Sequence, residues 1–250
     1  MRKYWQQVLI YTQYFSKVAW DNPGVLIYTV CLPLVFLILN TKDHFFQQLT
    51  LTQYANSVIP FIGWMIFTNC LVTVASIGEL REQGYLKQYR TLVVNVSVLI
   101  VSEAIVNLIL LLTTLTLIAG LSSLVFQLPF LKLIGWLWLT LGLAYIPVIC
   151  YCLPLLAVNM RQKTLNTMVN AISLIIIVGS VAVSNLVVLG MSNIFSNVLS
   201  PLYLISNLFR MLTVGTASQY ILTYSICLVI LIIVGAWSYR HLKILPTEGL

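Results

Sequence analysis

The chain has 250 residues, of which 60% are hydrophobic and only 8% charged. Soluble domains carry about 25% charged residues, so this composition excludes a water-soluble globule and predicts an integral membrane protein of the all-α, polytopic kind. The net charge of +7 does not indicate nucleic acid, because the basic residues sit in short loops beside apolar spans, as orientation signals do.

The chain reads as one transmembrane domain over 1–250. Residues 1–20 predict an amphipathic helix. Trp5, Val8, Leu9, Phe15 and Ala19 share one face with Thr12, while Lys3, Gln6, Gln7, Gln13 and Lys17 lie off it. Such a helix is expected to lie in the membrane interface. It has no uninterrupted apolar core and no small-residue cleavage site, so it does not read as a signal peptide. Asp21-Asn22-Pro23-Gly24 ends it. A short first span follows at 24–39, with Pro33 as a kink, then a polar loop at 40–56. The second span is about 58–76. A polar stretch, 77–97, comes next. The third span is about 98–119, followed by a connector at 121–134 with Pro129 and Lys132. The fourth is about 135–157, with Trp136 and Trp138 as interface anchors. A loop with Arg161 and Lys163 leads to the fifth span, about 168–190, and the sixth is about 219–239.

Residues 191–218 are only half apolar and are interrupted by Asn193, Asn197, Pro201, Asn207 and Arg210. A seventh span would move Arg240 and Lys243 outside and bury Arg210. With six spans and both termini cytoplasmic, ten Lys and Arg fall inside against three outside, Lys42, Lys132 and Arg210. Six spans are therefore preferred. The 191–218 stretch becomes a re-entrant or interfacial hairpin on the outer side, broken at Pro201. Backbone breaks at that depth are tolerated only under protein or beside a watery cavity.

The polar stretch 77–97 holds Glu79, Arg81, Glu82, Lys87 and Arg90, five of the chain's nineteen charged residues. A charge at mid-bilayer costs about 2.5–3.5 kcal/mol on insertion scales, so this stretch must sit outside the hydrocarbon. Leu80, Gly84, Lys87 and Thr91 fall on one side of a helix, with Tyr85, Gln88 and Tyr89 nearby. It is either a docking surface or a solvated loop helix.

Residues suited to catalysis are few. None of the twelve glycines precedes a Lys, so the phosphate loop GxxxxGK[ST] is absent. His44 and His241 fall on opposite sides of the membrane and cannot share a metal. Cys31, Cys70, Cys150, Cys152 and Cys227 all lie in apolar segments, and no disulfide framework is implied. Glu103, early in the third span, is an intramembrane acid. It serves as a proton or cation site or an intersubunit partner, or it simply reaches interfacial water. One carboxylate is not a catalytic set. Asn69, Thr73, Asn107, Ser173, Ser184 and Asn185 are polar residues inside spans. They line a substrate pathway or bond helix to helix, at about 0.6 kcal/mol each.

Two stretches carry a family resemblance. Glu79-Leu80-Arg81-Glu82-Gln83-Gly84-Tyr85-Leu86-Lys87 resembles the E-R-x-x-G-T-L segment of type 2 (ABC-2) ATP-binding-cassette permeases. Ser200-Pro201-Leu202-Tyr203, with Leu208, Arg210, Leu212 and Gly215, is similar to that family's N-P-L-x-Y…L-R-x-L-x-x-G signature. The order of parts matches over nearly the whole chain. Departures fall near Val93, where the family has Pro, at Ser102-Glu103, where it has Gly-Lys, and at Ser184-Asn185.

The resemblance implies a permease half that dimerises with itself or a sister chain in the plasma membrane. It would pair with two separate ATPase subunits, which bind the ATP and magnesium, so this chain needs no cofactor and is not itself an enzyme. Glu79, Arg81, Glu82, Gly84, Tyr85, Lys87, Tyr89 and Arg90 would form the ATPase-coupling surface, and Pro201, Tyr203 and Arg210 the outer hairpin. The implied cargo is an amphipathic peptide, such as a bacteriocin, or a hydrophobic drug. Two alternatives differ in class: a non-transporting immunity or scaffold protein, and an ion-coupled carrier using Glu103.

Overall fold

The computed structural model describes residues 2–21, 35, 38, 48–85, 93, 95, 97–158, 160–186, 190–215 and 217–242, with backbone alone at 181–186, 214 and 217–219. Ten helices and no strand occur among the described residues. They are α1 (Arg2–Asp21), α2 (Leu51–Ser57), α3 (Ile59–Glu82), α4 (Ser97–Phe126), α5 (Phe130–Cys152), α6 (Pro154–Ala157), α7 (Gln162–Leu186), α8 (Ile194–Leu199), α9 (Pro201–Val214) and α10 (Ala217–Arg240). Among the described residues, five stretches are long and apolar enough to cross a membrane: Ile59–Glu82, Ser97–Phe126, Phe130–Ala157, Gln162–Ser180 and Tyr220–Arg240. That is consistent with a polytopic helical protein. The expected first span, 24–39, lies outside the described residues except for Val35 and Ile38, which are helical.

Three expected boundaries are corrected. The loop at 40–56 gives way to helix at Leu51, because Thr50 and Gln53 form a reciprocal cap in which each side chain accepts from the other's backbone N–H. The connector at 121–134 shrinks to 127–129, because apolar residues carry α4 on to Phe126 and Pro129 starts α5 at once. The second span does not stop at 76: α3 runs on through Gly78 to Glu82, and the chain breaks at Gly84, whose φ of 75° suits glycine, before helix resumes at Tyr85.

Pro147 lies inside α5 and cannot donate to the carbonyl of Leu143. The Tyr224 hydroxyl of α10 takes that vacant acceptor at 2.8 Å. A neighbouring helix thus repairs the break, as lipid-embedded prolines require. Tyr224→Phe is expected to lower stability by about 1–3 kcal/mol, read as a lower thermal midpoint in detergent. Removing the proline as well, in Tyr224→Phe/Pro147→Ala, should recover most of that loss. A full-size loss in the double variant would show that the hydroxyl does something else.

α3 is the hub. It packs against α4, α5, α7 and α9, while α10 packs on α5. Gly235 lets α10 approach closely: a Cβ there would lie 2.9 Å from the Cys150 Cβ and 3.2 Å from its Cα. α1 packs against α4. The Tyr4 hydroxyl meets Ser97 at 3.2 Å, and Ser102 donates to the Val8 carbonyl at 3.0 Å. Further along, Ile109 lines a hollow with Thr12, Gln13 and Lys17. The helix therefore follows α4 lengthwise, whereas an in-plane helix would meet it at one crossing. Its buried residues are Val8 and Phe15, while Trp5 and Leu9 of the expected face are turned out.

Candidate functional site

The described residues build two polar ends. At the first, Arg81 is only 2% exposed. Its guanidinium donates to the carbonyls of Leu156 at 3.2 Å, Val158 at 3.3 Å and Met160 at 2.8 Å. Its Nε lies 3.4 Å from a Glu82 carboxylate oxygen. Those carbonyls lie at and beyond the C-terminus of α6, where the helix dipole favours a cation. Arg81 therefore caps another helix and ties α3 to the α5–α7 connection. The sequence reading placed it on a docking surface, whereas its side chain is turned into the bundle.

Glu79 and Tyr85 are exposed, and Glu82 and Gly84 half-buried. Lys87, Tyr89 and Arg90 lie outside the described residues. The far end of the polar stretch is also tethered: Tyr239 of α10 donates to the Asn95 side chain at 2.9 Å. Arg161, Lys163 and Arg240 are exposed where α7 begins and α10 ends, at this same end of the bundle.

At the opposite end α8 and α9 pack together as a hairpin. The break falls at Pro201, in the first turn of α9, after Ser200, whose side chain accepts from the Tyr203 N–H. The Ser180 and Ser200 hydroxyls share a bond of 2.7 Å, and Tyr151 donates to the Leu199 carbonyl at 3.2 Å. Asn197, fully buried, organises the turn. Its amide nitrogen donates to the carbonyls of Met191 at 3.0 Å and Asn193 at 2.7 Å. Its oxygen accepts from Tyr220 at 2.8 Å and Asn207 at 3.0 Å. Arg210 donates to the Asn56 side chain at 2.6 Å. Tyr203 and Arg210 line one cavity of about 250 Å³ with Asn56, Ser206, Asn207 and Ser180, closed by Pro60, Phe61, Ile177 and Leu202. Beside it, Tyr54 of α2 is fully buried between Phe126 and Phe209. Burial pushes its phenol up, so it stays protonated and shares a bond with Ser122 at 3.1 Å.

The candidate pathway residues do not converge on that cavity. Asn69 donates to the Met65 carbonyl at 2.9 Å and Thr73 to the Asn69 carbonyl at 3.0 Å, both within α3. Ser173 accepts from the Trp64 indole at 3.0 Å and so joins α7 to α3. Ser184 and Asn185 lie on α7, their side chains outside the description. Asn107 is buried beside Tyr145, with its amide nitrogen lacking a hydrogen bond. Glu103, one turn earlier, is half-buried and has no ion-pair partner among the described residues.

Asn56, Asn197, Asn207, Ser206 and Tyr220 were not foreseen as site residues. A weak signal existed for Asn197 and Asn207, since two amides in a half-apolar segment need partners once buried. Among the described residues no cluster of three or more His, Cys, Asp or Glu forms. No family model, no curated protein and no solved structure matches the chain.

Proposed function

We propose that the chain is the membrane permease subunit of an ATP-driven exporter of the ABC-2 type, moving an amphipathic or hydrophobic molecule such as an antimicrobial peptide or drug. The observation that carries this reading is the pairing of two features on one bundle. A polar α3 extension is fastened to the α5–α7 connection through Arg81 at one end. A helical hairpin broken at Pro201 stands beside a cavity at the other. The grouping of exposed Arg161, Lys163 and Arg240 at the Arg81 end supports a cytoplasmic position for it.

Two ATPase chains would grip the exposed residues Glu79 and Tyr85 and the segment that follows. Closure of the ATPases would push the α3 extension, and Arg81 would pass that push to α5, α6 and α7. Each state must be favoured by different contacts at the docking surface, or ATP could not shift the equilibrium. In this reading Arg81 is a positioning residue, and the residues that touch the ATPase are its exposed neighbours. A second copy or a sister permease would complete the path.

The chain purified from its own host is expected to bring down an ATPase in equal ratio. Glu79→Lys with Tyr85→Ala should cut permease-stimulated ATP hydrolysis at least about tenfold, the loss of roughly 1.4 kcal/mol of coupling, with the thermal midpoint unchanged. A chain that purifies without an ATPase, or vesicle export indifferent to ATP, would sink the proposal.

A further inference from the structure

We infer that the cavity at the hairpin mouth is a binding site for the anionic head of a single-tailed amphiphile, a phosphate or carboxylate on an apolar chain. Tyr203, Ser206, Asn207 and Arg210 follow the i, i+3, i+4, i+7 spacing of one helix face on α9, and all four line the cavity. Arg210 offers five N–H donors, and among the described residues its one hydrogen bond goes to a neutral amide, Asn56. No carboxylate lies within ion-pair distance of it among the described residues. The Tyr203 and Ser206 hydroxyls carry no hydrogen bond among those residues. Asn207 is already committed to Asn197, which holds the face in place.

A row of free donors beside a permanent cation favours an anion over a cation or a neutral head. The rest of the lining is apolar: Pro60 and Phe61 of α3 and Ile177 of α7 opposite, with Leu202 of α9 itself. A bare inorganic anion would leave that wall dry and unused. The volume of about 250 Å³ is below the 300–1,000 Å³ of ordinary ligand pockets. It suits one short chain, not two. The site stands whether or not the chain works with an ATPase.

The test uses the full chain in phosphatidylcholine nanodiscs, titrated calorimetrically with octyl phosphate, inorganic phosphate and octyl glucoside. Octyl phosphate should bind at least about tenfold more tightly than the other two. Arg210→Gln should weaken it about tenfold, and Arg210→Lys by less, because the charge survives. Ile177→Trp fills the apolar wall away from Arg210 and should weaken binding as much, which guards against Arg210→Gln acting through the fold. The site is refuted if octyl glucoside binds as tightly, or if both Arg210→Gln and Ile177→Trp bind as the wild type does. Adding phosphatidylglycerol to the discs separates the sources. Competition identifies the occupant as a bilayer lipid, its absence as a free amphiphile, and either result keeps the site.

Discussion

Arg81→Gln is expected to lower unfolding stability by at least about 3 kcal/mol, the usual cost of removing one member of a buried charge-assisted contact. Three carbonyls, of Leu156, Val158 and Met160, lose their donor at once. Arg81→Lys should fall between the two, because an ammonium is a point charge and cannot fork across three acceptors as a guanidinium does. The measurement is a thermal midpoint in detergent, paired with cross-linking between α3 and the α5–α7 connection. Wild-type stability in Arg81→Gln would mean the clamp is ornamental. The same logic rules out charge reversal at Arg81 as a clean test of docking. A loss of export there would follow from the fold, so such tests belong on Glu79 and Tyr85.

The second large effect is expected at Asn197. Asn197→Leu removes the amide that ties Tyr220 and Asn207 to the carbonyls of Met191 and Asn193: the Asn207 amide loses its acceptor, while Tyr220 keeps the Leu204 carbonyl at 3.4 Å and the Asn193 carbonyl keeps the Ser196 hydroxyl at 3.0 Å. A buried network left half-satisfied is worse than none. A loss of about 2–4 kcal/mol is expected, with new protease cleavage between α7 and α9 before global unfolding. Asn197→Asp keeps the acceptor and loses the donors, so it should cost less at the Tyr220 side than at the Met191 side. A cleavage pattern identical to wild type would show that packing alone holds the hairpin.

Much of this architecture was legible from the residues. Uninterrupted apolar runs located the five long helices, and Pro201 with its flanking polar residues located the hairpin break. Ends were harder. The ends of α4 and α7 are held by single buried anchors, Phe126 against Tyr54 and Leu165 against Gly78, while Lys163, Thr164 and Asn166 beside the second are exposed. Arg81 shows why the site was only half readable. A charged residue in a polar stretch reads as exposed, and nothing local announces three distant carbonyls needing a donor. Tyr224 and Pro147 are the same problem, 77 positions apart. The Arg210 cavity was nearer to view, since Tyr203 and Arg210 share one helical face, but Asn56 and Ile177 reach it only through the fold.

The length of α4 has a consequence for where Glu103 meets its surroundings. Its 30 residues extend about 45 Å at 1.5 Å per residue, against a hydrocarbon thickness of about 30 Å. Even a slant of about 40°, the steepest usual for such helices, leaves a projection of about 34 Å. At least a turn of it must stand proud of the acyl chains. The end sheathed by α1 is the one dressed for that: Ser97 and Ser102 are already bonded to their companion helix there, and Glu103 follows directly. Glu103 stands six residues from the start of that helix, about 9 Å at 1.5 Å per residue, so it is carried toward the headgroup boundary and away from mid-bilayer.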